Sequence, residues 1–249
     1  MNQPIPRYAV LRSDRTWQNI TTARLATTPT GVLTLARVPG LPKGQTVNLP
    51  APFEVPASGL AIGPCHEHYF THADQPQLIW LDDICHTRKV LPIVATPGTS
   101  LGEFNQPRGL LLGPLNSLYV ADSANGRVQI FQLPGLELRA IWHEPLQHPT
   151  GLATDSQNRV YVLDQGLEKV VRFSSWGSPD TTYNAAMAGH SELVSPVFFA
   201  IDESDRLYVS DADTNQIWQV SSAGESLFSV PLPNDSFQPR ALVADSDRL

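Results

Sequence analysis

Residues 107–131 read Pro107-Arg-Gly-Leu-Leu-Leu-Gly113, a short turn, Leu118-Tyr-Val-Ala-Asp122, Ser123-Ala-Asn-Gly126 and Arg127-Val-Gln-Ile-Phe131. The architecture follows from these residues. Leu110-Leu-Leu is a short apolar run of the kind that forms a buried strand. Leu118-Tyr-Val is β-branched and aromatic, as a pleated surface prefers. Asn125-Gly126 is the strongest short hairpin signal, since both residues accept a positive φ. Val128 to Phe131 returns as a third strand, and the more variable Leu138-Arg-Ala-Ile-Trp142 supplies a fourth. The expected unit is therefore a four-stranded antiparallel meander.

The unit recurs outward in both directions. A second copy runs Pro149-Thr-Gly-Leu-Ala-Thr-Asp155, Val160-Tyr-Val-Leu-Asp164 and Lys169-Val-Val-Arg-Phe173. A third runs Pro196-Val-Phe-Phe-Ala-Ile-Asp202, Leu207-Tyr-Val-Ser-Asp211 and Gln216-Ile-Trp-Gln-Val220, with Phe198 where the others have glycine. A degenerate copy starts at Pro56 and carries Ser58-Gly-Leu-Ala-Ile-Gly63, Tyr69-Phe-Thr-His72 and Gln77-Leu-Ile-Trp-Leu81. The aligned tyrosines, Tyr69, Tyr119, Tyr161 and Tyr208, are 50, 42 and 47 residues apart. Periods of about 40–50 residues built from short strands are the signature of propeller blades. Gly59, Gly109 and Gly151 then stand where the chain enters each innermost strand, close to a neighbouring blade, with no expected room for a side chain. Asp122, Asp164 and Asp211 end the second strand of each copy. One blade separates each aspartate from the next, so turn capping by the carboxylate is the expected role, not a shared metal or acid–base site.

Composition agrees with a turn-rich β protein. The 249 residues include 22 Pro and 16 Gly, and only 16% are charged. No window approaches the ~18 uninterrupted apolar residues of a membrane helix, and Met1 to Arg12 lacks a basic n-region followed by an apolar h-region. The expectation is synthesis in the cytoplasm without a signal peptide and no direct insertion into a membrane. A net charge of −7 with 17 Lys and Arg argues against nucleic acid as a partner. Two cysteines, Cys65 and Cys85, cannot build a disulfide framework at this size.

The copies resemble NHL repeats, whose pattern runs Pro-x-Gly-Leu-Ala-x-Asp, Leu-Tyr-Val-x-Asp and Asn-x-Arg-Val-x-x-Phe. The resemblance covers residues 56–249 and implies an all-β, NHL-type β-propeller, six-bladed when complete, preceded by an N-terminal β arm. On that reading residues 1–48 are the arm or a partial blade, and 49–249 are propeller blades with the last incomplete. A narrower resemblance rests on order and wording. Tyr8-Ala-Val-Leu-Arg-Ser-Asp-Arg-Thr-Trp17 and Gly31-Val-Leu-Thr-Leu-Ala-Arg-Val-Pro-Gly40 precede the first blade, and Ile84-Cys85 leads through a loop to Phe104-Asn-Gln-Pro-Arg-Gly109. That layout is similar to NHL-repeat proteins encoded beside phage-tail-like contractile injection systems. It implies a non-enzymatic scaffold, accessory or baseplate-proximal, with protein partners in a larger assembly that is a released or membrane-associated particle.

Chemistry-bearing candidates are few. Cys65, His66, His68, Cys85 and His86 gather zinc-type ligands, but their spacing matches no familiar zinc pattern. His72 takes the slot of Asp122. No Gly-x-Ser-x-Gly elbow exists, and Phe173-Ser-Ser-Trp176 is expected simply to close a blade. The inner strands carry little oxygen chemistry, and His143, His148 and His190 fall in connections, so no catalytic residue and no cofactor are expected. The alternative is a lactonase-like hydrolase or a lyase whose active site is completed by blades outside 1–249. Arg108 and Arg240 share one position at the mouth of their inner strands. Finally, Ala241 to Leu249 echoes Phe199 to Leu207 and stops, leaving an unpaired edge that propellers avoid. The expected partner of that edge is a segment beyond 249, the N-terminal arm or another protein.

Overall fold

A computed structural model describes residues 9–11, 17–19, 32–33, 47–48, 58–62, 67–72, 76–81, 87–92, 96–202 and 204–230. Two short antiparallel pairs lie in the N-terminal segment: β1 (Ala9–Leu11) with β2 (Trp17–Asn19), and β3 (Val32–Leu33) with β4 (Val47–Asn48). Four meanders follow. The first is β5 (Gly59–Ile62), β6 (His68–His72), β7 (Gln77–Leu81) and β8 (Thr87–Leu91), and the second is β9 (Pro107–Gly113), β10 (Ser117–Asp122), β11 (Arg127–Gln132) and β12 (Glu137–Trp142). The third is β13 (Pro149–Thr154), β14 (Val160–Asp164) and β15 (Lys169–Phe173), and the fourth is β16 (Pro196–Ile201), β17 (Leu207–Asp211), β18 (Gln216–Val220) and β19 (Ser226–Val230). Neighbouring blades meet through their first strands, β5 against β9, β9 against β13 and β13 against β16. This is a β-propeller. The final segment from 231 to 249, which carries Arg240 and the expected open edge, lies outside the described residues, as does the completion of a six-bladed ring.

Alternation along the second strand explains why both faces of a blade are apolar. Successive side chains point to opposite faces of a sheet, so Leu118 and Val120 pack with Tyr69 and Leu78 of the first blade, while Tyr119 packs with Val160 and Val162 of the third. The third blade repeats the division, sending Tyr161 and Leu163 to Leu207 and Val209 of the fourth. Every residue of β10 and of β14 is buried, and a buried Leu, Val or Phe side chain contributes about 1.5–3 kcal/mol. An aromatic run, Tyr119 edge-on to Trp142 at 5.3 Å and Trp142 stacked on Phe173 at 4.9 Å, seals the interface between the second and third blades.

Three local expectations are corrected. The innermost strands, expected to be buried, are half-buried because one side borders the channel: in β9 only Pro107 is buried. The turn at Asn125-Gly126 is not a two-residue hairpin with two left-handed residues. Ser123–Asn125 forms a 3-10 turn and Gly126 alone is left-handed, at φ 59°. The third blade has no fourth strand, and Phe173-Ser-Ser-Trp176 does more than close it. A tight turn leads to helix α1 (Thr181–Ala188), whose N-cap Asp180 accepts the Tyr183 N–H at 3.0 Å. The helix satisfies the strand edge it replaces. The side-chain amide of Asn184 accepts the Arg172 N–H at 2.8 Å and donates to the Arg172 carbonyl at 3.2 Å, as a paired strand would.

Candidate functional site at the channel mouth

Pro107, Pro149 and Pro196 open β9, β13 and β16, and these strand starts converge with the start of β5 at one mouth of the channel. There Ser58, Arg108, Thr150, Gln165 and Phe198 line a cavity of about 490 Å³. Glycine makes the convergence possible. A Cβ on Gly59 would clash with the carbonyl oxygen of Arg108, and one on Gly109 would lie 2.7 Å from the Thr150 carbonyl oxygen. At Gly151 it would meet the Phe199 ring at 2.9 Å. Each inner strand thus lies directly against the next. Phe198, occupying the glycine slot of the fourth blade, is accommodated as part of the cavity wall.

The electrostatics of the mouth are simple. Arg108 is exposed and is the one charged side chain on the described wall. Neighbouring hydroxyls are engaged: Ser58 donates to the Pro107 carbonyl at 2.6 Å and Thr71 to the Arg108 carbonyl at 2.5 Å. No carboxylate or imidazole lines the described wall, and His143, His148 and His190 stand in connections. The arrangement can hold an anionic or carbonyl-rich group against Arg108, and it offers no described base for abstracting a proton.

The recurrent aspartates lie in the turns around the ring, each fully buried. Asp164 accepts four backbone N–H groups, from Gln147, His148, Gly166 and Leu167, at 2.8–3.0 Å. Asp211 does the same with Val194, Ser195, Asp213 and Thr214 at 2.7–3.1 Å. Burial pushes the Asp211 carboxyl upward, but the N–H donations from Thr214, Ser195 and Val194 outweigh it and hold the group below its ordinary range. Asp122 differs. It accepts the Asn105 N–H at 2.7 Å, the Asn125 and Gln129 amides, and the buried Arg127 Nε at 2.6 Å. Arg127 then donates to the carbonyls of Thr99, Ser100 and Glu103 at 2.7–2.9 Å, fixing the loop before the second blade.

A second recurrent set, which the reading of the repeats passed over, lies in the turn between the first two strands. Asp155 accepts from Arg159 Nε at 2.5 Å and the Tyr161 hydroxyl at 3.1 Å, and Asp202 accepts from Arg206 Nε at 2.7 Å and the Tyr208 hydroxyl at 3.1 Å. The signal is visible in the sequence as Asp-x-x-x-Arg-x-Tyr at both places. In the second blade Gly113 stands in the aspartate position and the Tyr119 ring lies over it.

For metal ligands, no group of three or more His, Cys, Asp or Glu is close enough among the described residues. Cys65, His66, Cys85 and His86 lie outside those residues, and His68 and His72 are placed only as the first and last residues of β6. The register puts His72 opposite Gln77 just as Asp122 stands opposite Arg127. Among the described residues no helix is long and apolar enough to cross a membrane.

Comparison with known proteins agrees with the geometry. Residues 104–131 match the NHL repeat family. No curated protein matches the chain. Among solved structures, virginiamycin B lyase from Staphylococcus aureus superposes with a TM-score of 0.65 at 16% identity, over 85% of this chain and 67% of that one. A catalytically inactive variant of the S. aureus enzyme with quinupristin gives 0.65 at 14% identity, over 97% and 76%. A streptogramin B lyase gives 0.60 at 15%, over 94% and 72%. At such identities the likeness establishes the propeller architecture, which carries both interaction scaffolds and enzymes.

Proposed function

We propose that this chain is a non-enzymatic interaction scaffold in a larger protein assembly. More finely, we place it as an accessory or baseplate-proximal component of a phage-tail-like contractile injection particle. The observation that carries the scaffold reading is the described wall of the channel mouth, which has one exposed guanidinium, Arg108, and neither carboxylate nor imidazole. The finer placement is supported by the order of the N-terminal segment, the first blade and the long loop before Pro107. The partners are proteins rather than nucleic acid, in keeping with the net charge of −7. The chain works by docking: a rigid disk presents its connections to a neighbour.

The likeness to lyase propellers keeps one rival, an enzyme whose reactive groups lie outside the described residues. One experiment separates the two. A photo-crosslinking amino acid is placed at position 108 in the native host, and the purified protein is incubated with a streptogramin B antibiotic. A crosslink to a component of the injection particle, with no turnover, is expected. Turnover of the antibiotic that is lost in Arg108→Ala, without a crosslink, overturns the scaffold reading. A crosslink to a protein of another assembly overturns only the finer placement.

A further inference from the structure

A second concave feature lies away from the channel, on the perimeter between the second and third blades. Its floor and walls are Tyr119, Ala140 and Trp142, and its lips are Leu115 and Trp176, with Arg139 beside them. The volume is about 60 Å³, room for one small apolar side chain. Trp176 is 77% exposed and Leu115 49%, two of the few large apolar side chains on the described surface.

Both lips are held rigidly. Leu115 and Asn116 adopt left-handed backbone, φ 59° and 53°, which an aliphatic residue rarely takes. The turn is locked nonetheless, with the Leu133 N–H donating to the Asn116 carbonyl at 3.0 Å and the Asn116 amide to the Leu133 carbonyl at 3.1 Å. The Trp176 turn is closed by the Gly177 N–H on the Ser174 carbonyl at 3.0 Å and by the Ser174 N–H on the Ser178 carbonyl at 2.9 Å. Gly177, at φ 91°, lies flat against the Trp142 indole and brings Trp176 to the rim. An exposed indole on an ordered turn loses little conformational freedom on binding.

Charge determines what fits. Arg139 is exposed, and its guanidinium reaches only two neutral acceptors at the long limit, Ser117 Oγ at 3.4 Å and Gln132 Oε1 at 3.5 Å. No described carboxylate pairs with it. Trp and Arg at the edge of a small aromatic pocket are the residues that dominate interface energies.

We infer that this perimeter groove docks a segment of a protein partner in which an apolar side chain stands next to a carboxylate. The apolar side chain fills the space over Tyr119 and Trp142 between Leu115 and Trp176, and the carboxylate pairs with Arg139. A second copy of this chain is a poorer occupant, since it brings a net charge of −7 against −7. The inference rests on the scaffold reading and adds a second docking point to it, distinct from the channel mouth.

The test pans a random dodecapeptide library displayed on phage against the full chain, then titrates the enriched peptides, as synthesised, against wild type, W176A, R139Q and R108A. Expected peptides carry an apolar residue adjacent to Asp or Glu. They bind W176A and R139Q about tenfold or more weakly than wild type, bind R108A unchanged, and shift the Trp176 indole N–H resonance. Trp176 and Arg139 are exposed, so both variants should melt as wild type does. No enrichment, peptides lacking a carboxylate, or equal binding to W176A and wild type overturns the inference. So does self-association lost in W176A, which would make the occupant a second copy. Peptides weakened only by R108A overturn this groove while leaving the scaffold reading in place.

Discussion

The contact between inner strands makes Gly109→Ala the sharpest probe of how the blades are held. Gly109 has no positive φ, so alanine is compatible with its backbone, and the substitution gains about 0.4–1 kcal/mol by restricting the unfolded chain. Against this, the added Cβ lies 2.7 Å from the Thr150 carbonyl oxygen and 3.1 Å from the Gly151 Cα. Both are backbone atoms of the next blade. Reaching ordinary contact separates β9 from β13 by roughly half an ångström or more. Overpacking of that kind costs about 1–3 kcal/mol, so the net loss lies between about zero and about 2.6 kcal/mol, centred on about 1.3 kcal/mol. For a protein of this length a loss at that centre lowers the melting temperature by about 3–5 °C. Gly135→Ala is the control. The nearest atom to its new Cβ is the flexible Glu137 carboxylate at 3.5 Å, and it should be neutral or slightly stabilising. Thermal melts followed by circular dichroism, checked by urea unfolding, make the comparison. If G109A melts at or above G135A, the inner strands are not in the contact described and the blade alignment fails.

Three further outcomes follow from the turns and the helix. Asp122→Ala strands the buried Arg127 guanidinium and should cost about 3–5 kcal/mol; urea midpoints for D122A and the double variant with Arg127→Met test this, since removing both charges should recover part of the loss. Asn184→Ala removes both bonds to the Arg172 backbone and should cost about 1–2 kcal/mol, with faster proteolysis of the 174–190 segment; cleavage at the wild-type rate would count against the helix as a strand substitute. The Asp211 carboxyl is held low in the fold, so its contribution is present above the unfolded value near 4 and fades as pH falls through the lower native value. Stability measured from pH 7 down to 2 should therefore fall less steeply in Asp211→Asn than in wild type, and parallel profiles would refute the assignment.

The blades were legible because their strands are short, apolar and punctuated by Asn, Gly and Asp in one repeating order, and because Gly59, Gly109 and Gly151 mark where backbones touch. The aspartates were legible as turn acceptors. Their second duty, gripping the incoming connection through Asn105, through Gln147 and His148, or through Val194 and Ser195, depends on segments 16 or 17 residues away along the chain, which a repeat alignment does not pair. Helix α1 carried its own signals, the N-cap Asp180 and Gly189 just after the last turn. The repeat template, which supplies a strand there, masked them. The burial of Arg172 was not legible at all. Its guanidinium donates to Asp180, the Tyr161 hydroxyl and the Ser222 carbonyl, and it lies 4.1 Å from the centre of the Tyr183 ring. Those partners come from the third blade, the helix and the last turn of the fourth.

Such placement has a functional consequence. Glycine contacts near the axis, apolar interfaces in the middle and aspartate grips in the turns fasten each blade independently, so the described disk has little freedom to deform. What varies between blades is the connection: the Arg127-held loop before β9, the Leu115 turn, the Trp176 turn and helix α1. Three are pinned by side chains rooted in strands, Arg127 and Gln129 of β11 for the first, Gln132 of β11 for the Leu115 turn and Arg172 of β15 for the helix, and the Trp176 turn is closed by its own backbone hydrogen bonds. A loop fixed in this way would lose little further conformational freedom on contact with another molecule. A propeller that turned over a substrate by closing a lid would need one of these connections to be loosely held, and among those described the network does the opposite.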